Sequence, residues 1–298
     1  MSTPDYDALR HDAGAVWLPR EFVVVDGPDA LSFLQGQLSQ DVDLDNGLST
    51  WALLLQPQGK LVAFVRVLRQ SADRFVLETD EGFGAVVVDR LNRFKLRVKA
   101  DVSPLDWRCL AVRGPRAHEA VTGGGAAGTV VVADWPGLPG ADLVGEAPEP
   151  PGGVPLCDLE AYEAVRIEAG IPVMGREMDE STIPAEAGVV EQSVSFTKGC
   201  YTGQELVARI DSRGGNVPRK LRGVILAGDP SGLPPAGAAV RSAEGKDVGR
   251  LTSVARSPQL GAVALAYVGR AVTPPAEVTV AWDGGSAPAR VEPLPLVS

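Results

Sequence analysis

Hydrophobic positions in the first third of the chain follow two alternating periods. Glu21 to Asp26 encloses four consecutive apolar residues, a strand-length run. It is closed by Gly27-Pro28, where proline suits the first turn of a helix. Ala30, Leu31, Leu34 and Leu38 then recur at helical spacing. Thr50 to Gln56 and Lys60 to Arg69 read as strands joined by Pro57-Gln58-Gly59, a hairpin connection with proline early and glycine late. Arg74 to Thr79 is a further strand, and Gly84 to Leu96 a helix with Val87, Leu91 and Phe94 along one face. Strand-like runs follow at Leu96 to Val102 and Leu105 to Val112, and a mixed sheet with helices on one side suits this order.

The middle of the chain is punctuated differently. Gly123 to Gly153 is rich in glycine and proline. Its run Gly123-Gly124-Gly125-Ala126-Ala127-Gly128 follows a helical pattern and lacks a trailing Lys-Ser or Lys-Thr, so it reads as a flexible turn and not a phosphate loop. Pro148 to Pro155 reads as a crossing linker. Asp158 is placed to cap a helix that runs to about Ala169 and stops at Gly170 and Pro172. Ser193 to Phe196 reads as a strand end. From Gly223 onward, short apolar runs at 223–227, 238–241, 248–255, 261–268 and 277–282 are split by Gly, Pro and Asp. That spacing predicts a small all-β barrel or sandwich.

Composition narrows the function classes. A chain of 298 residues with 45% hydrophobic and 22% charged residues is ordinary globular material with room for two or three lobes. It contains no eighteen-residue apolar run, so no membrane span is expected. The polar, acidic start lacks the basic and apolar segments of a secretory signal, which makes the expected location the cytoplasm. A net charge of -10 repels phosphate backbones and argues against direct nucleic-acid binding. Arg209, Arg213, Arg219, Lys220 and Arg222 are the clustered cations from which a small-anion pocket would be built. The three cysteines, Cys109, Cys157 and Cys200, are too sparse for a disulfide framework. With neither CxxC nor HxxxH spacing, no permanently bound metal is expected.

One stretch concentrates chemistry. In Lys198-Gly199-Cys200-Tyr201-Thr202-Gly203-Gln204-Glu205, Thr202 and Glu205 have the spacing of a capping box, and Leu206 and Ile210 supply an inward stripe beyond it. Cys200 would then stand just before a helix N-terminus, with Lys198 close by. Both features would favour thiolate over thiol. Cys109, inside a strand-like run, and Cys157, beside the linker, read as buried apolar residues.

The octapeptide and the following Val207-Ala208-Arg209 resemble the signature of the YgfZ family, folate-binding factors for iron–sulfur cluster assembly and repair related to the glycine-cleavage T-protein. Phe33-Leu34-Gln35-Gly36-Gln37-Leu38-Ser39-Gln40-Asp41-Val42 is similar to the family's N-terminal block, and Pro57-Gln58-Gly59-Lys60 to its hairpin. Arg166 to Pro172 and Thr182 to Glu186 are similar to its central blocks; Gly249 to Ser253 and Ala264 to Val268 are similar to its last lobe. The resemblance implies an α+β fold of three lobes in a ring around an opening for a reduced folate. The first two lobes would be mixed α/β, one of them discontinuous at about 1–48 and 152–222, the other about 49–151. Residues 223–298 would form the small barrel.

By the same resemblance, Cys200 is the residue on which activity depends, with Lys198 beside it. Glu186 would grip the pterin, a carboxylate being able to accept paired N–H bonds from an aminopyrimidine edge. Tyr162 would stack on the pterin, although its spacing with Leu159 and Val165 equally suits a core residue. Arg219 would stand near the folate tail, and Tyr201 joins the cofactor-binding set. The T-protein carries acidic residues shortly after its hairpin glycine; here Gly59-Lys60 is followed by Leu61-Val62-Ala63-Phe64. A general acid or base must reach the reacting proton, so the missing carboxylate argues against aminomethyl transfer by that route. The resulting expectation is a tetrahydrofolate-binding accessory factor acting through Cys200 on iron–sulfur client enzymes or assembly proteins. The alternatives are a folate-dependent one-carbon transferase and a folate-sensing scaffold without chemistry.

Overall fold

A computed structural model of the chain describes residues 3–123, 126–212, 214–228 and 232–297. Arg213 of the cation cluster and Gly124-Gly125 of the glycine run lie outside the described residues. The chain opens with helix α1 (Thr3–His11) and strand β1 (Gly14–Leu18). Next come β2 (Arg20–Asp26), helix α2 (Ala30–Gln37), the hairpin strands β3 (Ser49–Leu55) and β4 (Leu61–Arg69), β5 (Arg74–Asp80), helix α3 (Gly84–Phe94) and β6 (Asp101–Leu105). Strands β2 to β6 form a sheet in the order β3-β4-β5-β2-β6, and every pair in it is antiparallel, so it is not mixed. Phe33, Leu34, Val87 and Leu91 of the two helices bury against Val23, Val65 and Leu77, the packing that the helical spacing predicted. Strand β6 starts later than the apolar pattern suggested, because Arg97 takes up a left-handed φ of 56° that interrupts the extended run.

A second antiparallel sheet, β1-β7-β9-β8, is built from β1, β7 (Arg108–Arg113), β8 (Ala127–Val132) and β9 (Gly140–Glu149), with helix α4 (Ala117–Thr122) between β7 and β8. Strands β8 and β9 arise inside the glycine- and proline-rich stretch. Pairing of β9 with β7 and of β8 with β9, together with burial of Ala141, Leu143 and Val144, decides their structure against weak local propensity. The two sheets therefore do not follow the lobe boundaries expected at 48 and 151. Strand β2 hydrogen-bonds into the sheet of residues 49–105, whereas β1 joins that of residues 108–149.

Helix α5 (Leu159–Ala169) is capped as predicted. Asp158 Oδ1 accepts from Ala161 N at 2.6 Å, and Gly170 ends the helix at φ 75°. From Ala161 onward α5 is buried except at Glu163, in a core shared with both sheets and with Val263, Leu265 and Tyr267 of the last lobe. The short helices α6 (Pro184–Ala187) and α7 (Val190–Ser193) and helix α8 (Gln204–Asp211) follow. Strands β10 (Arg219–Leu226), β11 (Ala239–Arg241), β12 (Asp247–Ser257), β13 (Gly261–Gly269), β14 (Ala276–Trp282) and β15 (Gly285–Glu292) close into a barrel in the order β10-β13-β12-β11-β14-β15.

Charge is buried where the two sheets face each other. Arg66 of β4 pairs with Glu78 of β5 and, at 2.6 Å, with Asp142 of β9, which Arg113 of β7 also holds at 2.7 Å. The ligand atoms of Glu78, Cys109 and Asp142 lie within 4.8 Å of one another, yet both carboxylates are already bonded to Arg66. Burial pushes the Cys109 thiol well up, which keeps it protonated. Among the described residues no helix is long and apolar enough to cross a membrane.

Candidate functional site

Cys200 stands on the connection from α7 to α8, and its side chain is exposed, whereas Cys109 and Cys157 are buried. The segment Ser193 to Phe196 is not a strand: Ser193 ends α7, and the residues after it bond to the end of α2 and the turn beyond it. Ser195 N donates to Ser39 O at 3.0 Å and Thr202 N to Gly36 O at 3.2 Å. The Ser39 hydroxyl donates to Ser193 O and accepts from Leu53 N at 2.7 Å, tying β3 to the same place.

Lys198 is the centre of this clamp. Its Nζ donates to the carbonyls of Gln35, Leu38 and Gln40 at 2.8, 2.9 and 2.9 Å, using all three ammonium protons. The expected cation beside the thiol is thus spent on the backbone that carries the loop. Burial pulls the ammonium down to about 8, with Asp41 pulling the other way. Tyr201 packs beneath the loop among Leu53, Phe64, Val194 and Val207, with Lys198 Nζ 5.5 Å from its ring centre, and burial raises its hydroxyl to about 12.

Helix α8 begins at Gln204 with Gly203 as its cap, at φ 85° and without a side-chain cap bond, so the Thr202–Glu205 capping box does not form. The reason is close backbone approach. A Cβ on Gly203 would lie 2.6 Å from Gln56 O and 2.8 Å from Leu55 Cβ. A Cβ on Gly59, at φ 74°, would lie 2.6 Å from Leu206 Cβ. The hairpin and the cysteine signature are therefore interlocked glycine to glycine. Gly203→Ala is expected to cost about 2–4 kcal/mol in urea unfolding, from overpacking together with a left-handed backbone forced on alanine. Adding Gly59→Ala should cost less than the sum of the two, since both open one contact; strict additivity would contradict the interlock.

The remaining candidates fall into two groups. Glu186 on α6 is 4% exposed, and its Oε2 accepts from Arg219 Nε at 3.1 Å. The Arg219 guanidinium lies 4.5 Å over the Tyr267 ring, whose hydroxyl donates to Glu177 O. Tyr162 is elsewhere: it is buried in the shared core, 5.9 Å from the Arg113 guanidinium, and lines a small cleft with Arg20, Asp80 and Arg166. Its helical spacing with Val165 marked a core position.

Two larger clefts flank α6 and α7. One, of about 430 Å³, is lined by Ile183, Pro184, Val190, Phe196 and Leu206 with Lys220 among them. The other, of about 510 Å³, lies where Trp135, Gly170, Gln192, Arg222 and Pro295 converge from separate parts of the fold. Gly188 and Glu191 line both, so α6–α7 forms the partition between them. Both volumes suit a small organic ligand. The cation cluster is dispersed here: Arg219 goes to Glu186, Lys220 to one cleft and Arg222 to the other. The N-terminal block's grip on Lys198 was invisible locally, its partners lying 158 to 163 residues away.

A GCVT N-terminal domain matches residues 18–125, and a glycine cleavage T-protein C-terminal barrel domain matches residues 219–298. The chain is 30% identical over 298 residues to the tRNA-modifying protein YgfZ of Klebsiella pneumoniae, covering 91% of this chain and 89% of that protein. It is 31% identical over 270 residues to the human mitochondrial iron-sulfur cluster assembly factor IBA57, covering 80% and 75%. The fold is that of the glycine cleavage system aminomethyltransferase T of Bartonella henselae, with a TM-score of 0.82 over 99% of this chain and 89% of that one, at 22% identity. On this likeness across nearly its whole length, the chain belongs to the YgfZ family, related to the aminomethyltransferases.

Proposed function

We propose that this protein is a reduced-folate-binding accessory factor for iron–sulfur cluster assembly or repair in the cytoplasm, with Cys200 as its working residue. The observation that carries the reading is an exposed thiol on a loop fixed by Lys198 and Ser39, in a chain whose other two cysteines are buried. A thiolate is the form that ligates iron or takes up sulfur, and an exposed, well-held one can meet a cluster in transit or a partner's cysteine. The cluster is cargo and leaves with the client. The name of the human relative, an iron-sulfur cluster assembly factor, supports this reading, and that of the Klebsiella relative supports an indirect link to tRNA modification through client enzymes.

Glu186 and Arg219 fit a folate. Arg219 uses one carboxylate oxygen, and a carboxylate has about four lone-pair sites, so Glu186 can also accept from an aminopyrimidine edge. Arg219 offers a cation to an anionic tail, joined by Lys220 for a ligand in the first cleft or by Arg222 for one in the second. When bound, a reduced folate supplies a carrier of one-carbon units. Tyr162, buried away from Glu186 and Arg219, contributes to the core instead. Lys60 and the buried Leu61 follow the hairpin glycine, which argues against an aminomethyl-transfer role there.

Cys200→Ala should abolish rescue of cluster-dependent enzyme activity in a strain lacking the family protein. Its unfolding free energy should stay within about 0.5 kcal/mol of wild type, as for other exposed substitutions. Full rescue would remove Cys200 from the mechanism. Glu186→Ala should weaken tetrahydrofolate by about tenfold or more in a fluorescence titration, since hydrogen bonds to a charged group contribute about 1.5–3 kcal/mol each. Unchanged affinity would remove Glu186 from the pterin site.

A further inference from the structure

Residues 90–99 hold five cations, Arg90, Arg93, Lys95, Arg97 and Lys99, and no acid, in a chain of net charge -10. The segment covers the last turn of α3 and the loop to β6. At its tip two apolar side chains are turned out to solvent: Phe94 is 41% exposed and Leu96 83%. Arg93, Arg97 and Lys99 are exposed and make no ion pair among the described residues; Lys95 meets Asp101 at 3.7 Å. Arg97 is the one described non-glycine residue with positive φ. A basic last turn suits a helix dipole, but that accounts for Arg93 and not for the leucine and the cations beyond the helix.

The helix end of the patch joins the cysteine loop through shared structure, whereas Lys99 lies at the start of α2, where Asp29 Oδ2 accepts from its backbone N at 2.8 Å. Arg90 donates to Gln37 Oε1 and to Leu55 O, both at 3.1 Å. Gln37 lies on the same turn whose carbonyls hold Lys198, and Leu55 packs against Gly203. We infer that residues 90–99 are a docking surface for a partner protein that presents acidic side chains around a shallow apolar pocket, receiving Leu96 and holding the partner beside Cys200. Charge complementarity names the acidic partner. A nucleic acid is the poorer occupant, because Arg90 covers the Phe94 ring at 3.7 Å and leaves that face closed to a stacking base, while the rest of the protein repels phosphate. As a route for cluster clients, this surface rests on the function proposed above.

The test compares wild type with Arg93→Glu/Arg97→Glu/Lys99→Glu and with Leu96→Ser, all at exposed positions. The probes are a labelled 20-residue peptide of alternating glutamate and leucine and a 20-nucleotide oligouridylate, at low and moderate salt. The peptide should bind wild type, more weakly as salt rises. It should lose at least about tenfold with the charge reversal and a few-fold with Leu96→Ser, whereas oligouridylate should bind at least about tenfold more weakly than the peptide. In the deletion strain the charge reversal should lower client-enzyme activity while Cys200 labelling and folate titration of the purified protein stay at wild-type levels. Peptide affinity unchanged by charge reversal, oligouridylate binding tighter than peptide, or full rescue by the charge-reversed protein would each overturn the docking surface. If Cys200→Ala rescues fully while the charge reversal does not, the thiol's role fails and the surface stands.

Discussion

Lys198→Met should leave Cys200 in the chain and still silence the protein. The methionine keeps the apolar stem but offers no proton to Gln35 O, Leu38 O or Gln40 O, the three acceptors of the native ammonium. An orphaned buried polar group costs about 1–3 kcal/mol, and at this half-buried site water repairs part of the loss, so about 2–4 kcal/mol is expected overall. The loss falls on the cysteine loop first, because its ties through Ser39 and Gly36 lead to the same turn and the hairpin contact at Gly203 holds only its far end. Client-enzyme rescue should drop at least about tenfold, in line with that free-energy range. Cys200 should label faster with a thiol reagent, and the urea midpoint should fall. Lys198→Arg should restore little: a planar guanidinium cannot aim at three converging carbonyls as a tetrahedral ammonium does. Wild-type rescue by Lys198→Met would reduce Lys198 to a surface cation.

Arg66→Met should be strongly destabilising although it lies outside the site. Arg66 is 2% exposed and is bonded to Glu78 and Asp142 across the junction of the two sheets. Removing one member of a buried ion pair costs about 3–5 kcal/mol, because the remaining charge is stranded. Arg20 near Glu78 and Arg113 on Asp142 still offer partial compensation, so the lower end, about 3 kcal/mol, is expected in urea unfolding. The acid limb gives an independent check. Burial pushes Asp142 up, but Arg113 and Arg66 hold it down to about 2, below its unfolded value of 3.8. Its contribution to stability is therefore present above pH 3.8 and lost as the pH falls through about 2. Without Arg66 the Asp142 carboxyl should titrate higher, and acid unfolding should begin at a higher pH than in wild type. An unchanged acid midpoint would mean that Arg113 alone sets that carboxylate.

Much of the architecture was legible in the residues. The run Phe22 to Val25, the stripe of Ala30 and Leu34, the Pro57-Gln58-Gly59 turn, the Asp158 cap and the short strands from Gly223 onward all became the elements they predicted, whereas Leu38 turns extended just past the end of α2. In each case the deciding interaction lies within a few residues, where periodicity and turn chemistry act. The burial of Cys109 and Cys157 also followed from their local settings, whereas the exposure of Cys200 was decided only by the packed chain. Strands β8 and β9 did not, since their structure comes from the pairing of β9 with β7 and of β8 with β9. Nor did the start of α8, where the hairpin presses against Gly203 and leaves no place for the Thr202 cap.

By itself the sequence determined those turns, helices and strands whose deciding contacts lie within a few residues, and which octapeptide carries the thiol, because those properties are set by neighbours along the chain. Only the tertiary structure decided that Lys198 serves distant carbonyls, that Glu186 meets Arg219, that Tyr162 belongs to the core, and that Arg90 is tied to the turn that holds the cysteine loop. A buried donor or charge takes whichever partner the packed chain brings within hydrogen-bond reach, and that partner's position in sequence leaves no local trace.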